Sequence, residues 1–89
     1  MTDQAFRARV TVHLGAGVND PQGNTVRDGL RALGYPGVRD VRVGKTIDLV
    51  VEAADADEAR GKLESMCHEL LANPVIETYE IDLAEVAPR

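Results

Sequence analysis

The chain predicts an α+β fold, a ferredoxin-like β-α-β-β-α-β plait with a four-stranded antiparallel sheet and two helices on one of its faces. Residues 6–14 alternate strictly between apolar and polar side chains. Two later segments carry apolar residues at helical spacing. Extended stretches rich in Val, Ile and Leu fill the remaining places in the order the plait requires.

In the first strand Phe6, Ala8, Val10, Val12 and Leu14 share one face and Arg7, Arg9, Thr11 and His13 the other. A period of two marks a strand with one buried face. Gly15-Ala16-Gly17-Val18-Asn19 is a flexible turn. Asp20 reads as a helix N-cap and Pro21 as the first helical residue, where its missing N–H costs nothing. Val26, Leu30 and Leu33 recur at i, i+4 and i+7 and form one apolar stripe. Gly34 suits the C′ position because it tolerates positive φ, and Pro36 stops any continuation. Gly29 costs this helix about 1 kcal/mol against alanine, so close packing of the helix on the sheet is expected there.

Val38, Val41 and Val43 open an extended stretch, Gly44-Lys45 punctuates it, and Thr46 to Ala53 follows with Ile47, Leu49 and Val51 on one face. The expectation is two strands joined by a tight turn at Gly44-Lys45. Asp55 or Asp57 caps a second helix whose stripe is Ala59, Leu63, Met66, Cys67, Leu70 and Leu71. Asn73-Pro74 ends it. The last strand runs from about Glu77 to Val86, with Tyr79, Ile81 and Leu83 on one face, before the short tail Ala87-Pro88-Arg89. The second sheet face would carry Arg7, Arg9, Thr11, Asp48, Val50 and Glu52, a mixed surface suited to a subunit contact. No repeat or linker interrupts the chain, so residues 1–89 are read as one domain.

The composition narrows the function. Hydrophobic residues make up 44% of 89, which suits a folded globule. The aromatics are Phe6, Tyr35 and Tyr79, so Val, Leu, Ile and Ala must build the core. So short a chain buries a modest core, and an oligomer is expected. A net charge of −5 argues against nucleic acid, whose binding is led by Lys and Arg on phosphates. Three scattered aromatics are too few for a base-stacking sheet. There is no apolar run of membrane-spanning length, and Met1-Thr2-Asp3-Gln4 does not open a signal peptide. A single Cys67 excludes an internal disulfide, and a cytoplasmic location is the default expectation.

No catalytic constellation accompanies the fold. His13 and His68 lie far apart with no second ligand at metal spacing. Cys67 sits on the apolar helix stripe as a small hydrophobe. Ser65 has no neighbouring base, and Asp55, Asp57, Glu58, Glu64 and Glu69 read as a solvated helix face. Gly15-Ala16-Gly17-Val18-Asn19-Asp20 begins like a dinucleotide fingerprint but lacks its third glycine and its parallel βαβ setting. Neither a catalytic residue nor a cofactor or metal site is expected on the chain.

Three motifs exceed what a fold needs: Asp20-Pro21-Gln22-Gly23, Arg42-Val43-Gly44-Lys45 and Leu71-Ala72-Asn73-Pro74-Val75-Ile76-Glu77. Each lies at a turn or helix end, where loops carry function. The first has a full explanation as a cap, yet Gln22 and Gly23 are not needed for capping, and Gly23 leaves N–H groups open to a partner. Arg42 and Lys45 flank Gly44, either as solvated charges at a turn or as cations presented to an acidic partner. The candidate partner contacts are Asp20, Pro21, Gln22, Gly23, Arg42, Gly44, Lys45, Asn73 and Pro74.

Taken in order, these motifs resemble the PurS family, the small subunit of formylglycinamide ribonucleotide amidotransferase. Gly17-Val18-Asn19-Asp20-Pro21-Gln22-Gly23 resembles that family's entry into its first helix, and Leu33-Gly34-Tyr35 its exit. Val41-Arg42-Val43-Gly44-Lys45, then Ile47, is similar to its hairpin. Cys67, Leu70 to Glu77 and Tyr79-Glu80-Ile81 resemble its second helix and last strand. The resemblance spans residues 8–83. Gly15 and Asn19 depart from the Lys and Leu that the family often has there.

The resemblance implies a subunit of phosphoribosylformylglycinamidine synthase, in the fourth step of purine synthesis. It implies a homodimer or homotetramer that bridges a PurQ-like glutaminase subunit and a PurL-like synthetase subunit and helps pass ammonia between them. ATP and Mg²⁺ would be used by the synthetase. A reading from another class is a small-molecule-sensing regulatory domain of the same plait, with Gly15-Ala16-Gly17 as its ligand loop.

Overall fold

A computed structural model describes residues 3–85. Strand β1 runs Gln4–Leu14, helix α1 Pro21–Ala32, strand β2 Gly44–Ala53, helix α2 Ala56–Met66 and strand β3 Glu77–Glu85. The strands form one antiparallel sheet in the order β2-β1-β3. In register, Phe6 faces Val51 and Glu85, Val10 faces Ile47 and Ile81, and Val12 faces Lys45 and Tyr79.

The alternation read for residues 6–14 is what places the core. Phe6, Ala8, Val10 and Val12 are all buried, on the face covered by α2. Phe6 and Ala8 join Val51, Ala53, Ala59 and Leu63 in one cluster. Val10 and Val12 join Cys67 and Ala72 in a second, with Tyr79 and Ile81 packed against it. Asp55 is the cap of α2, its Oδ1 accepting from the Glu58 N–H at 2.8 Å. On the opposite face Arg9 Nε donates to Asp48 at 2.8 Å. This bond raises the Arg9 pKa and holds Asp48 below the ordinary carboxylate range. Both side chains are solvent-exposed, so the pair contributes little to stability.

Four expectations are corrected. Among the described residues the sheet has three strands, and the strand expected over 38–43 does not form. Residues 38–43 stay outside it, and Gly44 and Lys45 lie inside β2 opposite His13 and Val12 rather than at a hairpin tip. The reason lies in the hydrogen bonds: the Val43 N–H is bound by the Asp20 carboxylate and is not available to a neighbouring strand.

Second, only α2 covers the sheet. Helix α1 makes little contact with it, and its stripe is open, with Val26 43% and Leu33 76% exposed and Tyr35 beyond it 59%. The molecule is accordingly long, 58 × 30 × 15 Å, with a radius of gyration of 17.2 Å against about 12 Å for a compact chain of this length. Third, Gly29 is not a packing glycine, since a Cβ there would meet nothing within 4 Å. Fourth, the second helix changes pitch. Cys67–Leu71 forms a π turn closed by the Ala72 N–H on the Cys67 carbonyl at 3.0 Å. The wider turn keeps Cys67 buried and throws Leu70 outward, 83% exposed. Val86, the expected end of the last strand, lies outside the described residues.

Candidate functional site

Helix α1 is an arm, and two segments, 15–20 and 33–43, connect it to the sheet. Where they meet they form a neck, and two of the three motifs are its cross-ties. Asp20 is buried, 4% exposed. Its Oδ1 accepts from the Gly23 N–H at 2.9 Å as an N-cap, as read from the sequence. Its Oδ2 accepts from the Val43 N–H at 2.8 Å, which joins the end of one connecting segment to the end of the other. Serine would offer one acceptor oxygen, and asparagine would set an N–H₂ donor against one of the two N–H groups. Only a carboxylate without elongation satisfies both.

Gly23 is required by the same neck. A Cβ at Gly23 would collide with the Val41 carbonyl oxygen and sit 2.8 Å from Asp20 Oδ2. The glycine lets the returning chain cross over the first turn of α1. Arg42 ties the neck from the other side. Its guanidinium donates to the Val18 carbonyl at 3.0 Å, the Gly15 carbonyl at 2.8 Å and the Leu14 carbonyl at 3.3 Å. A planar fork of donors suits three carbonyls in a curved turn as a point charge does not. Further along, Arg31 Nε donates to the Val38 carbonyl at 2.8 Å. At the far end of α1, the Gly34 N–H reaches the Arg31 carbonyl and the Tyr35 N–H the Leu30 carbonyl. With Gly34 at φ +104° this is a Schellman cap.

The third motif closes on itself. Asn73 Oδ1 accepts from the Val75 N–H at 3.1 Å, and Glu77 Oε1 accepts from the Asn73 N–H. Pro74 follows Asn73 as the first residue of this turn, where it gives up no bond. The motif reaches the neck through the Ile76 carbonyl, which accepts from the Gly15 N–H at 2.8 Å. All three motifs therefore converge at the end of the sheet where β1 finishes. A cleft of about 230 Å³ opens there, lined in part by His13, Asp20, Gln22, Gly44, Lys45 and Glu77. The buried Nδ1 of His13 has no hydrogen-bond partner. A larger depression of about 590 Å³ lies on the outer sheet face beside Arg9, Asp48 and Asp82, away from the motifs.

The structure sorts the candidates. Asp20 and Gly23 are buried, and both act on this chain's own backbone. Arg42 is exposed, and its guanidinium donates to this chain's own carbonyls. Gln22 and Lys45 are exposed at the rim of the cleft, as are Pro21, Asn73 and Pro74 on their own turns. Gly44 is a close approach between strands, since its Cβ would come 2.7 Å from the Val12 carbonyl oxygen. The acceptors at Leu14, Gly15 and Val18 carry no sequence signal, because every residue type has a carbonyl. Cys67 is buried among apolar groups, which pushes its thiol pKa up, with Glu64 adding to the effect. This is the setting of an inert thiol. Among the described residues no group of three metal-ligating side chains converges.

The two neck N–H bonds, first Gly23 and then Val43, hold the Asp20 carboxylate below its ordinary pKa, and the Arg42 charge adds to them. A depressed carboxylate stabilises the fold fully above its unfolded pKa and loses that contribution as pH falls through the folded value. Stability of the isolated chain is thus expected to begin falling below roughly pH 4. Asp20→Asn is expected to flatten that part of the profile. Denaturant titrations of both proteins between pH 2 and 7 check this, and equal slopes in the two would contradict it.

Comparison with known proteins places this geometry. The PurS profile, described as phosphoribosylformylglycinamidine (FGAM) synthase, matches residues 7–85. This chain belongs to the PurS family. Phosphoribosylformylglycinamidine synthase subunit PurS of Synechocystis is 48% identical over 84% of this chain and 75% of its own length. The subunit of the same name in Bacillus subtilis is 41% identical over 91% of this chain and 95% of its own. The solved B. subtilis PurS superposes with a TM-score of 0.82 at 40% identity, covering 90% of this chain and 99% of that one. A chain in the structure of PurLQS from Thermotoga maritima superposes at 0.80 with 36% identity, covering 92% and 98%. The chain is a PurS subunit of FGAM synthase, an enzyme of purine biosynthesis, and its fold superposes on those of solved PurS subunits. Within this PurS chain the described residues present no catalytic constellation. No helix among them is long and apolar enough to cross a membrane.

Proposed function

We propose that this chain is the bridging subunit of its FGAM synthase. It joins a PurQ-like glutaminase to a PurL-like synthetase as a homodimer or homotetramer and assists ammonia transfer between them. The observation that carries this is the open arm: Val26 on α1, Leu33 and Tyr35 just after it, and Leu70 and Val75 at the motif end of the sheet, are large apolar residues left in solvent. A partner that covered them would remove that apolar area from water. ATP and Mg²⁺ belong to the synthetase in this reading, and the compartment is the cytoplasm. The strand order β2-β1-β3 supports reading the sheet as part of a ferredoxin-like plait, whose further strand would lie beside β2. The four-stranded form is proposed for the assembled subunit.

The chemistry gives the bridge a purpose. Ammonia released into water is mostly protonated at neutral pH and is then no nucleophile. Holding two active sites in register keeps it close and unprotonated. Excluding water along the route serves the same end.

Leu33→Lys tests the arm as a contact. The residue is exposed, and a cation at a helix C-terminus is favourable, so the isolated chain is expected to keep its stability to within about 0.5 kcal/mol. Assembly with the partners is expected to weaken roughly tenfold or more, read by analytical ultracentrifugation. Lys45→Glu, at the cleft rim, is the second test of the same kind. Unchanged assembly in both would remove these surfaces from the proposal.

A further inference from the structure

We infer that Asp20 and Arg42 are positioning residues, which fix the angle of the α1 arm against the sheet so that the two active sites joined by this chain stay in register. The inference rests on the bridging reading above. Helix α1 has 12 residues, about 18 Å at 1.5 Å each, and it makes little contact with the sheet, so its two connecting segments are its main attachment among the described residues. One of these holds glycines at 15 and 17, with Gly17 at φ +83°. Without cross-ties such a neck would bend.

The cross-ties run between the two segments and not merely within one. Arg42, near the end of the second, holds the Gly15 and Val18 carbonyls of the first and the Leu14 carbonyl at the end of β1, at 2.8–3.3 Å. Asp20, at the end of the first, holds the Val43 N–H of the second at 2.8 Å. The two ties are reciprocal, and each carries charge against backbone dipoles, the stronger class of hydrogen bond. The apolar core is made by β1, β2, β3 and α2 and includes neither residue. Losing a tie therefore loosens the arm and leaves the body folded. In a bridging subunit, a loosened arm keeps its contact surfaces but no longer holds them at one separation. Ammonia then escapes before use.

The test measures coupling. The glutaminase, the synthetase and this chain are mixed at saturating glutamine, and two quantities are recorded: glutamine hydrolysed and FGAM formed. Ammonium-dependent synthesis in the same mixtures reports the synthetase alone. Wild type is expected to couple the two near one to one. Arg42→Ala and Asp20→Asn, each verified as folded and assembled, are expected to raise glutamine consumed per FGAM by roughly tenfold. Ammonium-dependent synthesis is expected to stay unchanged. Arg42→Lys, which keeps one of the three ties, is expected to fall between.

Should Arg42→Ala not fold, Asp20→Asn carries the test, because asparagine is itself a good N-cap. Unchanged coupling in folded, assembled variants would overturn the positioning role, and so would complete loss of assembly in both. If the wild-type chain itself does not alter glutamine-dependent synthesis, the bridging reading fails, which is a different result.

Discussion

Leu63→Ala is expected to destabilise the isolated chain by about 2–5 kcal/mol, a large share of what a domain of this size holds. Leu63 is fully buried. It packs with Phe6, Ala8, Val51, Ala53 and Ala59, where α2 crosses the sheet. Leu49, Met66, Ile81 and Leu83 also pack against this cluster, so how far they relax into the void sets where in that range the loss falls. With α1 outside the core, α2 alone covers the sheet, and no second helix compensates. Urea denaturation followed by circular dichroism measures the change. A loss under 1 kcal/mol would mean that the core is not organised as described.

The second large effect turns on sign. Glycine in a helix is normally worse than alanine by about 1 kcal/mol. At Gly29 and Gly61 an added Cβ meets nothing within 4 Å. Alanine at either is expected to stabilise the chain by up to that amount. At Gly23 the same substitution drives a methyl group into the Val41 carbonyl and against the Asp20 carboxylate. Both obstacles are held in place, the carbonyl by its chain and the carboxylate by its bonds to Gly23 and Val43. Gly23→Ala is therefore expected to destabilise by about 1–3 kcal/mol, the range for overpacking. Hydrogen exchange at the Val43 amide is expected to quicken at the same time. Stabilisation by alanine at all three glycines would show that the neck does not close over α1.

Much of this fold was legible because it follows from periodicity. The alternation from Phe6 to Leu14 placed β1, and the caps at Asp20, Gly34 and Asp55 placed the helix ends, because these depend on neighbours in the chain. The extra strand was misread for a physical reason. Val38, Val41 and Val43 have strand-like side chains, but the Val38 carbonyl is taken by Arg31 Nε and the Val43 N–H by Asp20, the latter 23 residues away in sequence. The stripe Val26, Leu30, Leu33 is amphipathic as read, yet amphipathicity says only that a face needs covering. It does not say whether the same chain covers it. Leu70 was assigned inward on a pitch of 3.6 residues, and the π turn at Cys67–Leu71 breaks that pitch.

The candidate site was legible as residues and not as roles. The three motifs were picked out as extra to the fold, and they do meet at one end of the sheet. Arg42 was read either as a solvated charge or as a cation offered to a partner. Its donors also reach carbonyls at positions 14, 15 and 18, acceptors that no side-chain pattern announces. Asp20 was read as a cap and is one, but its second oxygen closes the neck. Gly23 was read as an opening for a partner's carbonyl, and the carbonyl that takes the space is this chain's own Val41.

The most direct measurement is glutamine-dependent FGAM synthesis by the purified glutaminase and synthetase, with and without this chain. The bridging account predicts that synthesis from glutamine appears only when the chain is present, while synthesis from ammonium does not need it. Equal glutamine-dependent activity without the chain, under conditions where the chain is folded, would contradict the account.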